Sequence, residues 1–91
     1  ETSAAAWVRV YTNSDSRIAD SNRSEGNDPG AGSGVIAEVR TFGSETVQIT
    51  PGVIGFNFDS IPTTDIYVSV TNRSGSNTSI TVTLTAIKLE V

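Results

Sequence analysis

Residues 80–91 read ITVTLTAIKLEV, and no other stretch of the chain states its structure so plainly. Ile80, Val82, Leu84 and Ala86 alternate with Thr81, Thr83 and Thr85, the period of two that a pleated strand imposes. β-branched residues stand on both sides of the alternation, which suits a strand and disfavours a helix. The Thr81, Thr83, Thr85 ladder reads as a solvent-facing surface. After Ala86 the phase slips by one: Ile87, Leu89 and Val91 become the apolar members, and Lys88 and Glu90 the polar ones. A one-residue slip turns side chains to the opposite face. Either a β-bulge near Ala86 or Ile87 keeps one buried face, or an unbulged strand offers a second apolar surface to another sheet or subunit.

The same period recurs upstream. In the first strand candidate, residues 6–11, Val8 and Val10 alternate with Trp7, Arg9 and Tyr11. Both faces carry bulk, so the strand is expected to be covered on two sides. Residues 35–41 place Val35, Ala37 and Val39 on one face and Ile36, Glu38 and Arg40 on the other. Residues 46–50 stop at Pro51-Gly52, a turn-forming pair. Residues 53–58 alternate Ile54, Phe56 and Phe58 with Gly55 and Asn57, and residues 66–71 alternate Ile66, Val68 and Val70 with Tyr67, Ser69 and Thr71. The segment NRSGSNTS, residues 72–79, reads as a hairpin loop joining the last two strands. Residues 12–34, with Ile18 as their sole large apolar residue, read as a long polar loop. A structureless loop of that length is functional or anchored by a partner. About six short strands without a helical period predict an all-β fold, an antiparallel β-sandwich of jelly-roll or open-barrel kind.

Composition narrows function. A chain of 91 residues holds one domain, 1–91, with one modest core. Beginning at Glu1, it is expected to belong to a longer protein. Only 36% of its residues are apolar and none is Cys, so contacts between subunits are the natural reinforcement. Without Cys or His there is no thiolate or imidazole for a nucleophile, a catalytic triad or a zinc site. The five Asp and five Glu fall in no acid/base motif. We therefore expect no enzyme, no catalytic residue and no cofactor. Net charge is −4, and the six basic residues are scattered at 9, 17, 23, 40, 73 and 88, so no stripe tracks a phosphate backbone and nucleic acid is not an expected partner. The apolar runs are far shorter than the ~20 residues of a membrane span, so membrane insertion is not expected, and no signal peptide is visible.

Several motifs fall to simpler readings. Asp20-Ser-Asn22-Arg-Ser24 opens like a calcium loop, but Glu25 stands where the loop needs Gly and Ala31 where it needs Glu. An oxygen site from Asp20, Asn22, Glu25 or Asp28 ranks below a solvated acidic loop, so no metal ligand is assigned. Gly30-Ala-Gly-Ser-Gly34 precedes a strand instead of opening a helix, and reads as a linker. Sequons at Asn22, Asn72 and Asn77 arise readily by chance in so Ser- and Asn-rich a chain. Trp7, Tyr11 and Tyr67 have the faces and polar edges that stack on sugars, yet each suits packing equally well. Trp7, Arg9 and Tyr11 on one strand face are types enriched at interface hot spots. The residues expected at an interface or a glycan are thus Trp7, Arg9, Tyr11, Tyr67, Ile87 and Leu89.

Taken together, TSAAAWVRVYT, DPGAGSGVIAEVRTFGSETVQITPGVIGFNF and IYVSVTNRSGSNTSITVTLTAIKLEV resemble a repeated β-domain of virion proteins of tailed bacteriophages, especially those of cyanobacteria and marine bacteria. Members include tail-fibre or knob tips and capsid decoration proteins. The resemblance spans nearly the whole chain and carries no catalytic motif. It implies a homo-oligomer, a trimer foremost, acting in the virion with other virion proteins in host attachment, through a host-surface glycan, or in shell reinforcement. The reading from a different class is a carbohydrate-binding module of a secreted or cell-surface bacterial protein, and a third is a pilus-associated adhesive domain.

Unpaired apolar strand rows invite other chains, so Leu89 is expected to be covered by residues 7–11 or by a neighbouring subunit. Full burial of such a side chain contributes roughly 1.5–3 kcal/mol. Leu89→Asp is expected to lower the melting temperature or the oligomeric mass, read by calorimetry and light scattering. Retention of both would make residues 87–91 a dispensable tail.

Overall fold

The structure, a computed structural model, describes residues 1–49, 56–61 and 65–85. Its core is one three-stranded antiparallel sheet in the order β2-β1-β3, built from β1 (Ala6–Tyr11), β2 (Val35–Arg40) and β3 (Tyr67–Asn72). A short helix, α1 (Ser14–Ala19), follows β1. The fold is thus mostly strand with little helix.

The first strand candidate is the centre of the sheet. Trp7 pairs with Arg40 on one side and Thr71 on the other, Arg9 with Glu38 and Ser69, and Val10 with Ala37 and Val68. At Tyr11 the register with β2 slips, so that Tyr11 pairs with Val35 and Ile36 is passed over. The buried apolar residues among those described, Ala6, Trp7, Val8 and Tyr11, all belong to β1. This is the two-sided covering that its bulky alternation implies. Val8 and Val10 share a face with Val39, Ala37, Val70 and Val68, while Trp7, Arg9 and Tyr11 look the other way.

Both neighbours run on past β1. Glu45 exchanges backbone hydrogen bonds with Thr2 (3.0 and 3.1 Å), Ser3 N donates to Thr81 O (3.0 Å), and Thr83 N donates to Glu1 O (2.8 Å). Residues 1–3 therefore lie between residue 45 and residues 81–83, in the same order as the sheet, with bridges Thr2↔Glu45 and Thr2↔Val82. The central backbone kinks between the two paired stretches, and Thr41 fills the kink. Its hydroxyl receives hydrogen bonds from Ala6 N and the Thr2 hydroxyl, both at 2.9 Å, and its own N–H donates to Ala6 O at 2.8 Å. Arg73 closes the other side, with its N–H on Ala5 O (3.0 Å) and its guanidinium on Thr41 O.

Several expected elements differ. Residues 72–79 do not reverse the chain as a hairpin would. β3 pairs with residues 6–11 and residues 81–83 pair with residues 1–3, so both run in one direction along the same central backbone. The intervening loop curls on itself: the Asn72 amide donates to Ser76 O (2.7 Å), its oxygen accepts from Ser74 N (2.8 Å), and Gly75 takes φ +81°. The local turn chemistry is real but serves a bulging loop. Residues 80–85 are held by the bridge at Val82 and form no longer strand, because the Ser3 hydroxyl, where a ladder would put a carbonyl, accepts from Thr81 N (2.8 Å). Residues 46–49 and 56–58 are likewise irregular. The remainder of those two candidates, the phase change after Ala86, and Ile87 and Leu89 lie outside the described residues. Among the described residues, the six-strand reading is thus met by three strands in one sheet.

Thr41 is 2% exposed, and Thr41→Val keeps its shape while leaving Ala6 N without its side-chain acceptor and the Thr2 hydroxyl with only Gly43 O, at 3.3 Å. A buried polar group stripped of its hydrogen bond costs about 1–3 kcal/mol. Denaturant unfolding of Thr41→Val is expected to show a loss of that order with an unchanged m-value.

Candidate functional site: a buried arginine–aspartate clasp

Residues 12–34 form a closed excursion in place of a structureless loop. Thr12 N donates to Gly34 O (2.9 Å) and joins its two ends. Gly34 has φ +81°, and a Cβ there would sit 2.2 Å from Ser16 Oγ, so only glycine lets α1 pack this closely. Helix α1 starts at Asn13, whose side chain accepts from Ser16 N (2.8 Å), with Asp15 in the first turn and Arg17 in the last. Apolar periodicity gave no sign of this helix, since Ile18 points to solvent at 66% exposure. Asn13 as a cap with Asp15 after it was the available signal.

The helix ends at Asp20, and Asp20 is where the excursion meets the sheet. Its Oδ2 accepts from the Tyr11 hydroxyl (2.6 Å), Arg9 Nη1 (3.1 Å) and Arg23 Nη2 (3.2 Å), while Oδ1 accepts from Arg23 Nε (2.7 Å). Arg9 Nη1 also donates to the Asp20 carbonyl (3.0 Å). Arg23 reaches onward to Glu38 Oε1 (3.0 Å), which also accepts from Trp7 Nε1 (2.6 Å). The Arg9 guanidinium lies 3.9 Å from the Trp7 ring centre and that of Arg23 5.2 Å away, within cation–π range. Burial of so many charges is tolerable only because they satisfy one another.

The surroundings set the protonation. Hydrogen bonds from Arg23 foremost, against the opposing cost of burial, hold the Asp20 carboxyl at about 2, below its ordinary 3.8. Arg23 is raised in turn, chiefly by Asp20. Burial, then the hydrogen bond to Asp20, pushes the Tyr11 phenol up.

This geometry places the expected contact residues as follows. Trp7, Arg9 and Tyr11 do come together on one strand face, but they are 4%, 5% and 0% exposed within the single chain. Within the chain, the excursion lies over this face through Asp20 and Arg23. Tyr67 is half-buried at the end of β3; its hydroxyl donates to Asp59 Oδ2 (2.8 Å) and the Arg17 guanidinium lies 5.1 Å from its ring. That hydrogen bond is the main reason its phenol is raised. The acidic loop is not simply solvated either: Asp20 is buried between arginines, and Glu25 pairs with Arg73 at 2.6 Å. Among the described residues no three metal-ligating side chains cluster, and no helix is long and apolar enough to cross a membrane. Sequence reasoning weighed Asp20 as an oxygen ligand and missed Arg23 altogether. Its place three residues after Asp20 was the one hint.

A folded-state pKa below the unfolded one means that the Asp20 contribution is fully present above about 4 and is lost as pH falls through about 2. Acid titration of the melting temperature is expected to fall more steeply between these limits in the native chain than in Asp20→Asn. Parallel curves would detach Asp20 from the acid response.

Compared with protein-family models, curated proteins and solved structures, the chain matches none.

Proposed function

We propose that the chain is a non-catalytic structural module of a virion, a tail-fibre or knob head or a capsid decoration domain, which presents a surface for host attachment or shell reinforcement. The observation that carries this reading is the distribution of apolar and charged groups. Arg9, Arg23, Asp20 and Glu38, the groups with chemistry to offer, are bound to one another, whereas large apolar side chains stand in solvent. Phe42 and Ile61 are each 79% exposed and Phe58 70%, and the rings of Phe56 and Phe58 meet edge to face with centroids 6.0 Å apart. The adjoining Phe56 and Phe58 rings are exposed apolar surface of the kind that binding surfaces use, and the resemblance in sequence names virion proteins as its setting.

In this reading the three-stranded sheet is one layer of a β-sandwich. Ala6, Val8, Val10, Ala37, Val39, Val68 and Val70 give it one aliphatic face, and a sheet with such a face is stabilised by a second layer packed about 10 Å away. The homotrimer implied by the resemblance would bury Phe42 or the Phe56–Phe58 pair between copies. The carbohydrate-binding alternative is less well supported. Of the three aromatic residues with polar edges it would need, Trp7 and Tyr11 are enclosed, and Tyr67 is half-buried with its hydroxyl on Asp59 and Arg17 near its ring.

Light scattering coupled to size exclusion at micromolar concentration is expected to give a mass near three times the 9.5 kDa of the chain, with Phe58→Ser shifting it toward the monomer. A stable monomer under those conditions would count against an assembling module. Saturable binding on a glycan array by that monomer would move the assignment to the carbohydrate-binding alternative.

A further inference from the structure

β2 stands at one side of the sheet, and among the described residues β1 is its only partner strand. In an antiparallel ladder successive residues turn their backbone N–H and C=O to alternate sides. Thr41 N donates to Ala6 O, so Val39 and Ala37, opposite Val8 and Val10, turn theirs to β1, and Glu38 and Arg40 turn theirs away from it. Among the described residues nothing bonds to those outward groups. An edge of this kind is a template for another strand.

The side chains along the edge say which strand fits. Residues 36–42 read IAEVRTF, and about Val39 they complement their own reverse. Laid antiparallel on a second copy with Val39 opposite Val39, Glu38 faces the second copy's Arg40 and Arg40 its Glu38, while Ile36 and Phe42 come opposite at the two ends. Centring the pair on Glu38 or on Arg40 instead sets like charges directly opposite, which is destabilising. Both charges are available. Arg40 is exposed and belongs to no ion pair among the described residues. Glu38 receives Trp7 and Arg23 on Oε1, which leaves Oε2 to accept from a second arginine. Phe42 is 79% exposed.

We propose that β2 pairs edge to edge with β2 of a second copy, antiparallel and two-fold about Val39, so that two three-stranded sheets become one continuous sheet. A contact made by one short strand is smaller than the roughly 1,200 Å² of a stable interface. It therefore forms where copies are crowded, at near-millimolar concentration, and leaves the mass at micromolar concentration unchanged. The pairing does not rest on the virion reading and does not use the Phe56–Phe58 pair.

Because the chain has no Cys, one introduced thiol reports one contact. Directly opposite residues in a non-hydrogen-bonded antiparallel pair have Cα atoms about 4.5 Å apart, within the roughly 4.4–6.8 Å that a disulfide spans. Val39 forms such a pair with itself, whereas the two copies of Ala37 stand about 13 Å apart along the strands, out of reach of a disulfide. Val39→Cys and Ala37→Cys are each equilibrated in a glutathione redox buffer at near-millimolar concentration and resolved by mass without reductant. The expected result is an excess of covalent dimer of about tenfold or more in Val39→Cys, lost when Arg40→Glu is added and largely kept with Arg40→Lys. Equal yields, more dimer from Ala37→Cys, or indifference to Arg40→Glu overturns the pairing. Should Val39→Cys fail to fold, amide hydrogen exchange of the native chain decides. Protection of the Glu38 and Arg40 N–H groups that rises with concentration supports the proposal. Protection that does not rise, whether strong because the chain's own residues cover the edge or absent, overturns it.

Discussion

One carboxylate decides how the two halves of this domain relate. Asp20 is the point at which the polar excursion 12–34 is fixed to the sheet, through Tyr11 and Arg9 on β1 and through Arg23, which in turn holds Glu38 on β2. Loss of Arg9 or Arg23 leaves the buried Asp20 carboxylate short of a cation, at a cost of about 3–5 kcal/mol for a broken buried pair, a large share of the 5–15 kcal/mol that stabilises a typical domain. The Arg73–Glu25 pair, nearer the surface, adds a second tie worth at most about 1 kcal/mol. The excursion therefore stays down because of one enclosed network and gains little from its outer contacts.

That arrangement answers a difficulty in the composition. A chain with 36% apolar residues and no disulfide cannot cover both faces of a sheet with hydrocarbon. Here one face of β1 is aliphatic, with Val8 and Val10 beside Val39, Ala37, Val70 and Val68, and the other is covered by charges in fixed pairs. Trp7 suits that polar side because its ring offers a face to Arg9 and its N–H a donor to Glu38. Cation–π attraction of about 0.5–2 kcal/mol per pair offsets part of the desolvation that the arginines suffer.

How far this was legible in the sequence depends on the range of the interaction involved. β1, β2 and β3 could be read to within about a residue, because β-branched alternation is a local property and their neighbours in space leave it undisturbed. That β1 is covered on two sides followed from the bulk on both of its faces, whereas its place between β2 and β3 did not. The course of residues 72–85 could not be read, because a loop rich in Asn, Ser and Gly looks the same whether it turns the chain back or bulges from a strand that continues. What decides is whether residues 81–83 find residues 1–3. The clasp was hidden for a related reason. Asp20, Arg9 and Arg23 were visible as residue types, but their meeting depends on a short helix without an apolar stripe. Trp7, Arg9 and Tyr11 were correctly grouped on one face, and the identity of what covers that face lay outside any local pattern.

The central strand has a consequence for how the chain folds. Residues 1–11 take their partners from positions 35–45 and 67–83, so that Glu1 meets Thr83 across 82 positions of sequence. Loop closure on that scale is slow, and chains dominated by such distant pairings fold in milliseconds to seconds. On a ribosome the strand that everything else is built around would be the first made and the last satisfied. Until its second neighbour arrived it would be an open edge carrying Trp7, Val8 and Tyr11. The excursion follows directly after that strand and needs only residues up to Arg23 to set Asp20 against Arg9 and Tyr11. The clasp is thus the earliest protection the chain can give its own nascent core, a shield raised locally while the long-range partners are still being synthesised.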